Sequence, residues 1–292
     1  MVIPVDIRSR LDYLAGAQNP DGGWGYLPGK SSWLEPTVYA LLALHPSEVH
    51  RRVFERGWQL ARSWQLPSGA WKPARQVSEP HWTTSLAITL HAVRGVHDAA
   101  FHKGVSWLLS VKGVEGGALS RIAGLFTSSL VEFDASLVGW PWLPDTSSWV
   151  EPTSQALLAL KMAAKHVNAK HVNNDELRSR TAMAERMLLE RRCHDGGWNY
   201  GNRKVYGVDL LCYPETTAIA LIGLKGVPSP HLAGSLQLAA RLCAESRSPL
   251  ARAWLTIALQ SHGRPVANQA SDVVPDVLVT ALQVIAWNRV LG

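Results

Sequence analysis

The chain is poor in sulfur and in metal motifs. Of 292 residues three are cysteine and four methionine. Cys193, Cys212 and Cys243 are odd in number and lack the paired spacing of a structural zinc site, so neither disulfides nor metal is expected to build the fold. Reduced thiols fit a cytoplasmic setting. No apolar run approaches the ~18 residues of a membrane span, and the opening MVIPVDIRSRLDYL carries charge too early for a secretory leader. There is no HExxH, no defensible Ser/His/Asp order, no aspartate-rich diphosphate motif and no phosphate-cradling glycine loop. His81, His91, His97 and His194 therefore read as ordinary core or surface histidines. The formal charge of +6 comes from scattered Lys and Arg without a dense run. That speaks against nucleic acid and leaves a lipid surface or an anionic small molecule as the partners a basic protein could meet.

What the chain does have is tryptophan, thirteen in all, within a composition that is 47% hydrophobic and 18% charged. It also repeats itself. GWGYLPGKSSWLEPTVYALLAL (23–44) recurs as GWPWLPDTSSWVEPTSQALLAL (139–160), with 15 of 22 positions identical. Such self-similarity means one structural unit used several times. Six Ala/Leu-rich segments are apolar on nearly every face, as a helix can be only when buried all round. They follow Glu35, Trp82, Glu151, Glu215, Ser248 and Asp276. Pro36, Pro152 and Pro249 fall in their first turns, where proline is preorganised and loses no needed donor. Between them run amphipathic stretches: 3–18, 53–65, 100–112, 175–193 and 231–244. Alternation of the two helix types predicts an all-α fold, an α/α toroid whose inner barrel of about six helices is wrapped by outer ones, in one domain over 1–292. An extra short helix is expected over 119–131, a polar linker over 166–174, and a loop in place of the last outer helix over 263–274.

The connecting turns share a pattern. Gln18, Gly22 and Trp24 stand at the same spacing as Gln65, Gly69 and Trp71. A later turn keeps Gly196 and Trp198 but has Cys193 for Gln, and another, VKGVEGGA, carries Lys112 and Ala118 instead. Glycine permits the tight turn, the amide can cap helix ends, and the indole covers it. These residues read as structural. The Gln–Gly–Trp pattern resembles the repeat of squalene–hopene and oxidosqualene cyclases, and it is similar to the turns of protein prenyltransferase β-subunits. The resemblance covers nearly the whole chain and implies a single toroid of the kind the cyclases use twice.

That resemblance implies isoprenoid chemistry, but the acidic Asp-x-Asp-Asp run with which the cyclases protonate their substrate is absent. The positional analogues are Glu35, Glu151, Glu215 and Asp276. A lone Glu at a helix N-terminus is expected to be ionised by the helix dipole and so unable to give a proton. The alternative roles are helix capping, or an acidic crown at one mouth of an apolar cavity lined by Trp33, Trp82, Trp140, Trp142, Trp149 and Tyr213, where aromatic faces could steady a cation. The prenyltransferases imply a zinc held by Asp, Cys and His. Asp209 and Cys212 are vaguely similar, but their spacing is one residue too long and no matching His follows, so no metal or other cofactor is expected. An isoprenoid-handling enzyme, a non-catalytic lipid- or protein-binding toroid, and half of a two-component cyclase all remain open.

Overall fold

The computed structural model describes residues 5–116, 136–167, 172–264, 266 and 274–291. The expected helix over 119–131, most of the expected loop over 263–274, and Ala118 lie outside them. Helices α1 (Val5–Gly16), α2 (Leu34–Leu44), α3 (Arg51–Ser63), α4 (Thr84–Arg94), α5 (Ala99–Ser110), α6 (Val150–Ala163), α7 (Asn174–Glu190), α8 (Pro214–Gly223), α9 (Leu232–Glu245), α10 (Pro249–Ser261) and α11 (Val277–Asn288) dominate, with one hairpin, β1 (Lys204–Val205) and β2 (Val208–Asp209). The hairpin turns through Tyr206 and Gly207, both at positive φ.

Six of these helices close a ring. α2 packs on α4, α4 on α6, α6 on α8, α8 on α10, α10 on α11, and α11 returns to α2. These are the segments apolar all round; in α2 every residue but Glu35 is buried. Outside lie α1, α3, α5, α7 and α9, which bury one stripe only. In α3 the stripe is Phe54, Gly57, Trp58 and Ala61, the spacing of a single helical face. The architecture is the all-α toroid.

The turns bolt the two layers together, and the bolts repeat. Trp24 Nε1 donates to the Leu14 carbonyl (2.7 Å), Trp71 to Ala61 (3.0 Å) and Trp198 to Leu188 (2.7 Å), each ten residues back. Their backbone N–H groups donate to Thr37, Thr84 and Thr217 Oγ1 on the following inner helix. Gly57 and Gly104 leave room for the rings; a Cβ at either would stand 2.6 Å from Trp24 or Trp71. Gln18 Nε2 donates to the carbonyls of Gly22 and Val53, and Gln65 Nε2 to those of Gly69 and Ala100, so each amide ties a turn to the next outer helix.

The third turn departs from the expectation. Its tryptophan is Trp140, which donates to Leu108 across 32 residues rather than ten and receives the same threonine lock, from its N–H to Thr153 Oγ1. The repeat is intact but interrupted by an insertion, which hid it from fixed spacing. Where Lys112 replaces the bridging Gln, the tie runs the other way. Arg180 on α7 stacks its guanidinium 4.1 Å from the Trp140 ring centre and donates to the Val111 carbonyl.

A second stitch closes the ring at its N-terminal mouth. The carbonyl two residues after each motif tryptophan accepts an N–H at the start of the neighbouring inner helix. Pro73 O takes Leu34 N, Trp142 O takes Trp82 N, Tyr200 O takes Val150 N, and Tyr26 O takes Val277 N. These are the orphan donors of helix N-termini. Each such residue therefore stands between two adjacent inner helices at the mouth, and Tyr26 joins the last helix of the ring to the first.

Candidate functional site at the mouth of the inner ring

Glu35, Glu151 and Glu215 occupy the same place on three inner helices, the second residue after an aromatic N-cap: Trp33, Trp149 or Tyr213. Asp276 is itself an N-cap; its Oδ1 accepts from Val279 N at 2.9 Å. Capping thus accounts for Asp276. The three glutamates are not caps in that sense. Glu35 accepts a hydrogen bond from Tyr26 OH at 2.5 Å, while Glu151 and Glu215 make no hydrogen bond or ion pair among the described residues.

The ring is filled one turn below them. Gln155 Nε2 on α6 donates to Tyr39 OH on α2 at 3.0 Å, and the Tyr39 ring meets Trp254 of α10 edge-on at 5.5 Å. Tyr39 lies four residues after Glu35, and Gln155 four after Glu151, so both acids sit directly above this floor on the same helix faces. The bond between Tyr39 and Gln155 holds α2 and α6 together and brings the two carboxyls to one bowl.

Electrostatics shows the sharing. Burial, then the charges of Glu35 and Glu215, push the Glu151 carboxyl up to about 8. Burial also raises Glu35, against the lowering effect of the Tyr26 hydrogen bond. Tyr26 is raised by burial and by Glu35, Glu151 and Asp276, and Tyr200 by burial, Glu151, Glu215 and Tyr213. The expectation that a helix N-terminus keeps these acids ionised is overturned for Glu151. A dipole contributes at most about 2 kcal/mol, and here loss of water and two like charges outweigh it. At neutral pH Glu151 holds a proton.

The expected aromatic lining divides in two. Trp149, 37% exposed, lies against Gly201, and Tyr213 meets Tyr200 at 5.2 Å, both beside Glu151 and Glu215. Trp82, Trp140 and Trp142 instead enclose a separate recess with Trp107, Pro144 and Pro152, the rings of Trp82 and Trp142 edge-on at 5.0 Å. Trp33 forms backbone bridges to Trp24 and Ala74. Tyr26 and Tyr200 were not among the expected site residues, although the repeat places both two residues after a motif tryptophan.

Asp195 and Cys212 belong to a structural clamp. Asp21 Oδ1 accepts from Ser32 Oγ, and Glu115 accepts from Ser148 N and Oγ, in each case the residue before the aromatic N-cap. Asp195 Oδ2 accepts from Cys212 N in the same way. Burial and Asp195 push the Cys212 thiol up to about 12, the wrong protonation state for a metal ligand. No group of three metal-ligating side chains occurs among the described residues. Cys212 is therefore expected to resist iodoacetamide at pH 7.5 in the folded protein and to react at the ordinary thiol rate after denaturation; rapid labelling of the native chain would contradict the clamp.

No family model matches the sequence, and no curated protein does. Solved structures do. A type II terpene cyclase, MstE from Scytonema, in complex with geranylgeranyl dihydroxybenzoate, is similar at a TM-score of 0.60 and 16% identity, over 98% of this chain and 96% of that one. A protein from Actinoplanes is similar at 0.57 and 19%, over 88% and 74%. Endoglucanase Cel10 of Klebsiella pneumoniae, a family 8 glycosyl hydrolase, is similar at 0.53 and 15%, over 96% and 98%. At these identities what is shared is the fold, the α/α toroid found in terpene cyclases and in glycosyl hydrolases alike.

Proposed function

We propose that the chain, acting as one toroid, is a general-acid enzyme of the cyclase type, with Glu151 giving a proton to an isoprenoid substrate held at the mouth of the inner ring. The observation that carries this is a carboxyl kept protonated at neutral pH between two other carboxyls, in a bowl rimmed by Trp149, Tyr200 and Tyr213. Exposed apolar residues in the loops leading into the inner helices, Leu27, Leu143, Tyr206, Val208 and Leu211, suit a lipid-like substrate and contact with the surface that supplies it. No helix among the described residues is long and apolar enough to cross a membrane.

Acid strength narrows the substrate. A carboxyl that holds its proton to pH 8 is available but weak, and a weak acid protonates oxygen far more readily than an alkene carbon. An isoprenoid whose reacting end carries oxygen, such as an epoxide, fits best. The proton passes from Glu151 to that oxygen, the C–O bond breaks to a tertiary cation, and a neighbouring double bond closes on it. The final cation returns a proton to a carboxylate at the same mouth, so the reaction is an isomerisation with no redox change. Aromatic faces steady the cation. The same protonated carboxyl beside two other acids also suits glycoside hydrolysis, the second reading.

The test is incubation with polyprenyl hydrocarbons, polyprenyl epoxides and oligosaccharides, read by mass spectrometry. A cyclised isomer of the epoxide, lost on Glu151→Gln, supports the proposal. Cleaved sugar moves the assignment to the second reading. A ligand retained unconverted by wild type makes the toroid a binder.

A further inference from the structure

The four residues two positions after the motif tryptophans are Tyr26, Pro73, Trp142 and Tyr200. Through the carbonyl stitch each stands between two inner-helix N-termini. Tyr26 stands between Asp276 and Glu35, Trp142 between Trp82 and Glu151, and Tyr200 between Glu151 and Glu215. Only at Tyr26 does a side chain reach an acid by a hydrogen bond: its hydroxyl donates to Glu35 Oε2. Glu151 has no such donor from its own repeat. There the near-identical 22-residue segment has Trp142 instead of tyrosine, and that ring is turned edge-on to Trp82.

We infer that Tyr26 is a positioning residue that fixes Glu35 as the carboxylate of the bowl, and that the substitution of Trp142 at the equivalent place leaves the shared proton on Glu151. Two otherwise like acids, Glu35 and Glu151, are thereby distinguished by one residue of the repeat. The physical cause is simple. A hydroxyl donated to a carboxylate favours its charged form, and that charge, held close, keeps the proton on the neighbour that lacks a donor. The other groups facing Glu151 act in the same direction or not at all. Glu215 on α8 acts as a like charge, Tyr200 and Tyr39 are held neutral by burial and these acids, and on the side of α4 the titratable group is His81, whose imidazole burial lowers to about 4.

This inference rests on the proposed role of Glu151, and the test separates the two. Glutamate labelled at the carboxyl carbon with 13C is titrated by NMR in the wild type, Tyr26→Phe and Glu35→Gln, with assignments from single Glu→Gln variants. In the wild type the Glu151 carbon is expected in its acid position at pH 7 and the Glu35 carbon in its carboxylate position. In Tyr26→Phe the proton becomes shared, so at pH 7 the Glu151 signal moves about half way toward carboxylate and Glu35 moves toward acid, both curves becoming two-step. Glu35→Gln, which removes the charge without disturbing the tyrosine, is expected to lower the Glu151 midpoint. A Glu151 midpoint near the ordinary carboxylate value in wild type overturns the proposed function. A raised midpoint unchanged in both variants overturns only the role of Tyr26. Turnover, where measured, should follow the protonated fraction of Glu151, with a changed pH profile in Tyr26→Phe; an unchanged profile also counts against the inference.

Discussion

Replacing Glu151 with glutamine is expected to make the protein more stable at pH 8 and to cut turnover by about two orders of magnitude or more. Both effects come from one cause. The folded state holds a proton on Glu151 up to about pH 8, whereas the unfolded chain releases it near 4.5, the ordinary value for a glutamate. Between these values the folded state binds more protons, so stability falls as pH rises through the window and the whole penalty is present by pH 8. A tenfold difference in proton affinity between the two states is worth about 1.4 kcal/mol. Because the side chain is partly open to the bowl, a net cost on the order of 2 kcal/mol is the reasonable figure. Glutamine keeps the shape and removes the titration. The melting temperatures of the two proteins should coincide near pH 4.5 and separate with rising pH, by about 4 °C at pH 8. Turnover should fall about 100-fold or more, the usual worth of a general acid. Parallel melting curves from pH 5 to 8 would mean that Glu151 titrates normally and would remove the acid from the mechanism.

The toroid was legible because its signals are local and repeated. Ala/Leu segments without a polar face can only be inner helices, and Gln18, Gly22 and Trp24 recur at fixed spacing as Gln65, Gly69 and Trp71. The closing of the ring by α11 on α2 follows from six such segments. Trp140 was hidden because an insertion separates it from Leu108, the partner that defines its role, and a spacing rule cannot see a bond between residues 32 apart. The four acids were found as positions, but their states were not legible. The helix dipole is a property of one helix and can be read from sequence; desolvation and the fields of Glu35 and Glu215 on Glu151 exist only once three helices share a mouth. The split of the aromatic residues between the bowl and the recess of Trp82, Trp140 and Trp142 is of the same kind. Asp195 could have been recognised as structural from the sequence alone, since Asp21 and Glu115 stand at the same distance before their motif glycines.

The turns offer the largest stability effects, and their three glycines form a graded series. Gly22, Gly69 and Gly196 sit at φ of 96°, 97° and 97°, a region that side chains rarely adopt, so alanine at any of them strains the backbone by about 1–3 kcal/mol. What differs is the neighbour. A Cβ on Gly69 would lie 2.5 Å from the backbone oxygen of Lys103 on α5, and one on Gly22 would lie 2.9 Å from the backbone oxygen of Arg56 on α3. A Cβ on Gly196 would meet only side-chain ends, Leu238 Cδ2 at an ordinary 3.9 Å and Arg192 Nη1 at 3.3 Å, which can swing away. Backbone inside a packed helix cannot, so Gly69→Ala must push α5 off the turn and loosen the bonds of Gln65 and Trp71 with it. Expected losses are about 4 kcal/mol for Gly69→Ala, somewhat less for Gly22→Ala and about 1–2 kcal/mol for Gly196→Ala, against a typical total of roughly 5–15 kcal/mol. Urea midpoints should fall in that order with little change in slope. If the three variants lost equal stability, backbone strain alone would be at work, and the close seating of turns on outer helices would not be what holds the two layers together.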